Sequence, residues 1–244
     1  MCCAELGDFA QAFAHASEAV RCGQILGLTY TLHGAQGFLG FVHLRKGELD
    51  HAISILEHEL ETARTLDLPV LFIHMAYRLG SAYNLSGRVA EALPLLEVAR
   101  DLAEDTTNMH WGPMVYVHLG EAYALAGRQR DALAVLQRSV HIARIHKQRG
   151  YEAWALYMTG WTHALAAPPD SDGAQRYYAE AMALAQKLHM LPLEAQCRFR
   201  LGELLAKTGR DRQAREELHL AGEMFSKMES PYWLEKIGAS VAAP

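Results

Sequence analysis

Apolar residues recur at helical spacing along the chain, in segments separated by polar stretches. Steps of i, i+3 and i+4 place the apolar side chains of a segment on one face of an α-helix, which can then pack against a neighbouring helix. The apolar positions of three successive segments are Leu49, Ala52, Ile53, Leu56, Leu60 and Ala63, then Leu93, Leu96, Ala99 and Leu102, then Ala132, Leu133, Leu136, Val140 and Ala143. This pattern predicts a series of amphipathic helices.

A glycine marks each repeat of this pattern, with a period of 40 residues and one two-residue insertion. These marker glycines are Gly40, Gly80, Gly120, Gly160 and Gly202. A period between about 34 and 47 residues is typical of stacked two-helix units, which cannot bury their apolar faces alone. We therefore predict an all-α protein, an α-α superhelix in which helical hairpins stack in sequence order.

Each marker glycine falls inside a predicted first helix, where glycine costs roughly 1 kcal/mol relative to alanine. We expect the missing side chain to allow close approach of the partner helix, with small residues opposite. These are Ala12, Ala52, Ala92, Ala132, Ala174 and Ala214. A second glycine follows seven residues later in four units and predicts a left-handed residue that ends the first helix. These turn glycines are Gly47, Gly87, Gly127 and Gly209.

Other helix breakers mark the predicted beginnings of first helices, because proline is tolerated in the first turn of a helix. They are Leu68-Pro69, Trp111-Gly112-Pro113, Gly150, Leu191-Pro192 and Ser230-Pro231. The fifth unit replaces the tight turn with a longer loop from Pro168 to Gly173. We expect Ser171 or Asp172 to be the N-cap of the helix that follows this loop.

The chain is predicted to form one array over 1–244. An incomplete first unit at 1–27 precedes hairpins at about 28–67, 68–108, 109–148, 149–190 and 191–229, and a capping helix at 230–244. The incomplete unit is expected to expose an apolar edge around Leu6, Phe9 and Phe13, where a partner's helix could dock. The capping helix is expected to turn Glu235 and Lys236 toward water.

Composition disfavours several classes of partner. The 28 acidic and 23 basic residues give a formal net charge of -5, which would repel a phosphate backbone, so we expect no nucleic-acid partner. The basic residues Arg144, His146, Lys147 and Arg149 fall where a helix should end, and there they complement its dipole. No apolar run approaches the roughly 18 residues of a membrane span, so we expect no membrane association.

The cysteines and the start of the sequence favour a cytoplasmic location. The four cysteines form no C-x-x-C pair, which fits a reducing compartment. The first residues carry acidic side chains and lack the basic and apolar regions of a signal peptide.

Motifs for metal, cofactor or catalytic chemistry are missing from the sequence. The 13 histidines include no H-x-x-x-H or H-E-x-x-H spacing, so no metal site is predicted. No G-x-x-x-x-G-K-[ST] phosphate loop and no arguable catalytic set occur. We expect a protein that is not an enzyme and that uses no cofactor.

The repeat resembles the tetratricopeptide repeat (TPR) from about Gly7 to Ala221. The residues that carry the resemblance are Leu79, Gly80, Tyr83, Gly87, Ala92 and Ala99, and in the next unit Leu119, Gly120, Tyr123, Gly127 and Ala132. The resemblance implies a right-handed solenoid whose first helices line a concave binding face. The side chains it places there are His74, Tyr77, Ser81, Asn84, Glu121, Trp154, Tyr157, Trp161, Phe199 and Glu203.

Aromatic residues at such positions could anchor a protein or peptide partner, because they bury a large area with little loss of entropy. The alternative is ordinary packing between successive first helices. The family's carboxylate clamp of paired lysine and asparagine is not present in this sequence. Binding of an acidic C-terminus through that pattern is therefore not implied.

A narrower resemblance covers the C-terminal half of the chain. It is to the C-terminal TPR region of large bacterial signalling proteins that also contain a nucleotide-cyclase-like domain and an AAA-type ATPase. The segments that carry it are Tyr151 to Leu156, Pro168 to Asp170, Tyr178 to Ala185, Met190 to Leu193, Gly209-Arg210, Gln213 to Arg215, Met224-Phe225 and Tyr232 to Leu234. The resemblance implies a protein-interaction or regulatory scaffold. The alternative is an array that senses a small-molecule inducer.

Overall fold

The computed structural model describes residues 1–105 and 112–242, with side chains up to residue 240. These residues contain thirteen α-helices and no strand, which confirms the predicted all-α class. Trp111, predicted beside a helix entry, lies outside them. The helices are α1 Cys2–Leu6, α2 Phe9–Leu26, α3 Thr29–Lys46, α4 Leu49–Thr65, α5 Pro69–Leu85, α6 Val89–Asp105, α7 Gly112–Leu125, α8 Gln129–Ile145, α9 Arg149–Ala164, α10 Ser171–Lys187, α11 Leu191–Lys207, α12 Asp211–Lys227 and α13 Pro231–Ala242.

Helices α3 to α12 pack as five successive pairs, each helix against the next in sequence. Neighbouring pairs stack in chain order, through α4 with α5, α6 with α7, α8 with α9 and α10 with α11. The first helices of the pairs also contact one another, α3 with α5, α5 with α7, α7 with α9 and α9 with α11. Together these five first helices form a continuous surface, which we call the inner face.

Local sequence signals position the turns as predicted. Pro69 begins α5 and Pro231 begins α13, where the missing amide hydrogen costs no helical hydrogen bond. All four turn glycines have positive φ, for example 90° at Gly47 and 75° at Gly127. A residue with a Cβ is strained in this region, so glycine is the residue that lets the chain reverse into the second helix.

The marker glycines allow close packing, and the side chains nearest to them are larger than the predicted alanines. A Cβ added to Gly80 would lie 2.6 Å from Cγ of Leu96, and one added to Gly120 would lie 2.6 Å from Cγ of Leu136. The expectation of an opposing alanine is therefore wrong at these two positions. At Gly160 and Gly202 the predicted alanines do take part, since an added Cβ would lie 3.2 Å from the carbonyl oxygen of Ala174 and 3.3 Å from that of Ala214. A leucine side chain fills the space above glycine with more apolar surface than an alanine methyl group could supply.

The N-cap of α10 is Asp170, so the prediction of Ser171 or Asp172 is wrong. Oδ1 of Asp170 accepts a hydrogen bond of 2.9 Å from the backbone N–H of Gly173. Its Oδ2 lies 2.7 Å from Nδ1 of His163. The bond from Gly173, followed by the contact with His163, lowers the pKa of the Asp170 carboxyl, although burial opposes the shift.

The two ends of the array touch, which the sequence did not predict. Helix α1 contacts both α3 and α11. A Cβ added to Gly7 would lie 2.6 Å from Sδ of Met228 and 3.5 Å from Cβ of Leu191. The expected apolar edge is wrong for Phe9, which is only 5% exposed. Phe13 is half-buried against the ring of His43.

At the other end, α13 crosses the inner face and touches the ends of α3 and α5. The hydroxyl of Tyr232 donates to the carbonyl oxygen of Leu85 at 3.1 Å. The Cβ of Tyr232 also lies beside Gly47, which has no room for a side chain of its own. Glu235 and Lys236 are exposed, as predicted. The last helix therefore closes part of the inner face.

Candidate binding site on the inner face

The inner face opens into a cavity of about 420 Å³ where α5, α7, α9 and α11 meet α13. We call it the end cavity. Half of the ten predicted binding residues line it, namely Asn84, Glu121, Trp161, Phe199 and Glu203. The last helix contributes Tyr232, Lys236 and Ser240. The end cavity thus collects side chains from four successive first helices and from the cap.

A hydrogen-bonded group of buried polar residues forms one wall of the end cavity. Nδ2 of Asn84 donates to the carbonyl oxygen of His118 at 3.0 Å and to Oε2 of Glu121 at 3.1 Å. Nδ1 of His118 lies 3.3 Å from the same Glu121 oxygen. Oδ1 of Asn84 has no hydrogen-bond partner among the described residues. The carboxylate of Glu121 is therefore held in a fixed position beside the end cavity.

The opposite wall combines aromatic rings with a second set of charges. The guanidinium of Arg200 lies 5.3 Å from the ring centre of Trp161 and 5.1 Å from that of Phe199. Nη1 of Arg200 donates to Oε2 of Glu203 at 2.7 Å, and the other Glu203 oxygen accepts from Ser240 at 3.0 Å. Burial lowers the pKa of Arg200, but neighbouring Tyr157 and Glu203 outweigh it, so the pKa is raised.

Three further predicted residues lie deeper in the inner face. Ser81, Trp154 and Tyr157 are each 3% exposed and line a cavity of only about 30 Å³. A space of that size holds about one water molecule. Burial raises the pKa of Tyr157 above its ordinary value. In this conformation the three side chains form packing between first helices, the alternative that the sequence left open.

The two remaining predicted residues, His74 and Tyr77, belong to neither cavity. Their rings meet edge to face at 6.5 Å, and Tyr77 also stacks on His118 at 6.1 Å. Tyr77 is 3% exposed and His74 is half-buried. A binding role for these two residues stays a prediction.

Sequence reasoning missed the contribution of the last helix to the site. The resemblance to the tetratricopeptide repeat places binding residues on first helices, so it gave no reason to consider Tyr232, Lys236 or Ser240. One signal was present, the adjacent aromatic pair Tyr232-Trp233 in a helix expected to face water. Trp233 is 4% exposed and stacks on Phe225 at 5.4 Å.

Potential metal ligands converge at one place within the described residues. Ligand atoms of His43, Glu48 and His51 lie within 4.8 Å of one another, at a spacing that the sequence motifs did not include. Both Glu48 oxygens already have partners, Nδ1 of His43 at 2.6 Å and Nζ of Lys46 at 2.9 Å. Burial raises the pKa of Glu48, but these contacts outweigh it and the pKa is lowered. The group is accounted for as an ion pair.

Two of the four basic residues around the end of α8, Arg144 and Arg149, are paired with the same carboxylate. Nε of Arg144 lies 2.7 Å and Nη1 of Arg149 lies 2.9 Å from the two oxygens of Glu152. Glu152 is 3% exposed, so the ion pair ties the end of α8 to the first turn of α9.

The described helices include none with the length and hydrophobicity needed to cross a membrane.

Comparison with known protein families relates the central part of the chain to one of them. Residues 72–145 match the tetratricopeptide repeat. This span runs from α5 to the end of α8 and covers less than half of the chain. The sequence resembles this repeat from about Gly7 to Ala221, and the match supports the resemblance over residues 72–145. No curated protein matches the chain.

Several solved structures share the fold. BtubC from P. vanneervenii superposes with a TM-score of 0.60 at 18% identity, over 91% of this chain and 92% of its own. A Rap protein in complex with competence and sporulation factor superposes with a TM-score of 0.72 at 16% identity, over 84% of this chain and 57% of its own. A third structure is that of a signal transduction ATPase with numerous domains and a tetratricopeptide repeat sensor from Pyrococcus horikoshii. It superposes with a TM-score of 0.58 at 16% identity, over 84% of this chain and 31% of its own. The fold is a TPR-like solenoid.

Proposed function

We propose that this chain is a non-enzymatic protein-interaction module that binds a peptide segment of its partner in the end cavity. The observation that supports this most directly is the convergence of Asn84, Glu121, Trp161, Phe199 and Glu203 on one space. Four different helices supply these side chains, so the stack of hairpins holds them in fixed positions. Rigid aromatic anchors beside fixed polar groups are the usual features of a binding site.

The chemistry of the end cavity favours a peptide with an apolar side chain next to a hydrogen-bond donor. The rings of Trp161 and Phe199 offer an apolar wall. The carboxylate of Glu121, held in place by Nδ2 of Asn84, offers an acceptor on the other side. The volume of about 420 Å³ lies in the range of about 300 to 1,000 Å³ typical of ligand pockets, which suits a few side chains and not a whole domain.

The wider context we propose is the regulatory C-terminal part of a bacterial, cytoplasmic signalling ATPase or cyclase. The resemblance of the C-terminal half to such proteins supports this, as does the similar fold of the Pyrococcus horikoshii protein with its tetratricopeptide repeat sensor. The Rap protein in complex with competence and sporulation factor supports partner binding by a solenoid of this fold. In this context the chain would transmit a binding event to an attached or associated catalytic protein.

A second candidate function is the sensing of a small-molecule inducer. It is favoured by the position of α13, which covers one side of the end cavity and would partly enclose a small ligand. The two functions differ in the ligand that stabilises the fold. A metabolite that raises the melting temperature would favour the sensor, and a peptide that does so would favour the interaction module.

The test is selection of peptides from a random library on the whole chain, followed by affinity measurement on variants. Glu121→Gln combined with Glu203→Gln removes two charges from the end cavity and should weaken the selected peptides at least about ten-fold. Glu216→Gln combined with Glu223→Gln makes the same charge change at exposed positions of α12 and serves as the control. Equal affinity for both double variants would place binding elsewhere.

A further inference from the structure

A carboxylate of the first helix reaches into the inner face. Oε1 of Glu5 accepts a hydrogen bond of 2.9 Å from Nε of Arg45 in α3. Oε2 of Glu5 accepts one of 2.9 Å from Nε1 of Trp154 in α9. Each oxygen thus has its own donor, and the two donors belong to different hairpins. The carboxylate of Glu5 is thus bound through both oxygens by side chains of other hairpins.

The guanidinium of Arg45, which binds Glu5, lies beside two aromatic rings. The guanidinium of Arg45 lies 4.1 Å from the ring centre of Trp154 and 4.9 Å from that of Phe41. Arg45 is only 7% exposed, so its contact with Glu5 is shielded from solvent. A stacked arginine loses little further freedom when it binds a carboxylate, because its planar fork is already oriented.

A second arginine also lies beside the ring of Phe41, and it has no anionic partner among the residues that the structure describes. Arg78 is 1% exposed, and none of its three guanidinium nitrogens has a hydrogen-bond partner among the described residues. Its guanidinium lies 4.5 Å from the ring centre of Phe38 and 5.3 Å from that of Phe41. Arginine stays protonated, and leaving such a charge buried without an anion is costly. Two cations therefore lie beside Phe41, and the carboxylate of Glu5 is hydrogen-bonded to only one of them.

The helix that supplies this carboxylate is short. Helix α1 has five residues, far below the length at which an isolated helix is stable in water. Ala4 is fully buried, but Met1 and Leu6 on either side are 44% and 41% exposed. Besides Ala4 and Glu5, Cys3 packs against the adjoining core, and α1 contacts α3 and α11. A competing ligand would have to replace the contacts of this one short helix.

We propose that Arg45, Arg78 and Trp154 form a carboxylate-binding pocket that receives an acidic side chain of a bound peptide, and that Glu5 occupies this pocket when the peptide is absent. The inference rests on the proposed binding function of the inner face and names a second contact for it. A peptide with two neighbouring acidic residues would supply partners for both arginines. Binding would release α1 from the inner face.

The test uses the full chain and a synthetic peptide with the sequence of α1. The probe is acetyl-Ser-Ser-Ala-Glu-Leu-Gly-amide, in which serines replace Cys2 and Cys3, and the matched control peptide has glutamine in place of glutamate. In isothermal titration calorimetry, the glutamate peptide should bind the Glu5→Gln chain at least about ten-fold more tightly than the unchanged chain, whose own Glu5 competes. The glutamine peptide should bind the variant chain at least about ten-fold more weakly than the glutamate peptide.

Variants of the arginines assign the pocket. Arg45→Gln, added to the Glu5→Gln chain, should abolish the preference for the glutamate peptide. Arg88→Gln is the matched control, because Arg88 also lies over a ring, that of Tyr83 at 4.1 Å, but away from the pocket. If Arg78→Gln does not fold, Arg78→Lys keeps the charge without the planar fork, and it should also reduce the preference.

Two results would overturn the proposal. One is equal binding of the glutamate and glutamine peptides to the Glu5→Gln chain. The other is binding of free glutarate as tight as that of the glutamate peptide, which would make this a site for a small carboxylate and not for a peptide. Library peptides that depend on Glu121 and Glu203 test the proposed function separately. If those peptides bind and the α1 peptide does not, only the carboxylate pocket is refuted.

Discussion

Replacing the marker glycine Gly120 by alanine should destabilise the chain, although alanine is the better helix former. The added Cβ would lie 2.6 Å from Cγ and 2.8 Å from Cδ2 of Leu136. Leu136 is fully buried, so its side chain has nowhere to move without disturbing its own neighbours. The clash involves the branch point of the leucine and not the flexible end of a long side chain.

The expected magnitude is the difference between two opposing effects. Alanine stabilises a helix interior by roughly 1 kcal/mol relative to glycine. Overpacking in a filled core costs about 1 to 3 kcal/mol. We expect Gly120→Ala to lower the free energy of unfolding by up to about 2 kcal/mol.

Gly222 provides a matched control in α12. A Cβ at Gly222 would meet no atom within 4 Å, so only the helix propensity changes. Gly222→Ala should therefore raise the free energy of unfolding by roughly 1 kcal/mol. The measurement is urea denaturation followed by circular dichroism, with the slopes compared to confirm that the same transition is observed.

A double variant tests whether Leu136 is the cause. Leu136→Ala alone should cost about 2 to 5 kcal/mol, because it leaves a cavity above Gly120. Adding Gly120→Ala should then cost less than it does in the unchanged chain, since the methyl group enters that cavity. If Gly120→Ala and Gly222→Ala shift stability by the same amount in the same direction, the packing explanation of the marker glycines is refuted.

Three further predictions follow from single side chains. Asp170→Ala should cost about 1 kcal/mol of stability through loss of the N-cap. The Gly173 bond lowers the pKa of Asp170, so the carboxylate stabilises the fold fully above about pH 4 and loses this effect as the pH falls through the lowered pKa. A pH series of melting temperatures should show this pH dependence in the unchanged chain and not in the variant. Burial raises the pKa of Cys197, so labelling with iodoacetamide and mass spectrometry should find Cys2 modified and Cys197 unmodified until denaturant is added. Tyr232→Phe should cost about 0.5 to 1.5 kcal/mol of stability, because it removes the hydrogen bond to Leu85. The cost should appear as a lower denaturation midpoint. An unchanged midpoint would contradict a role for this bond in holding α13.

The local features of the fold were predictable because they depend on backbone conformation and helical periodicity. Positive φ at Gly47 follows from its place at the end of a helix, and the entry at Pro69 follows from its missing amide hydrogen. The packing partner of Gly80 was not predictable, because periodicity gives the face of a helix but not the depth to which a facing side chain inserts. Sequence spacing cannot distinguish Leu96 from Ala92 in that role.

The candidate site was predictable only in part, for a related reason. The first-helix positions of the repeat include Asn84 and Glu121, which do line the end cavity. Trp154 occupies an equivalent position but is covered, because α1 lies over that part of the inner face. Which positions remain open depends on where the two terminal helices fold back, and that is set by the small rotations accumulated over all the hairpins.

The contact between Gly7 and Met228 changes how an array of hairpins should lose its structure. An open array resembles a one-dimensional chain of units, each stabilised by its two neighbours, and it frays from its free ends. Here the terminal units are neighbours of each other, so the order of contacts closes into a circuit. Opening one end then requires breaking contacts between residues at opposite ends of the chain. The first hairpin, α3 with α4, should therefore resist amide hydrogen exchange nearly as well as the central hairpins.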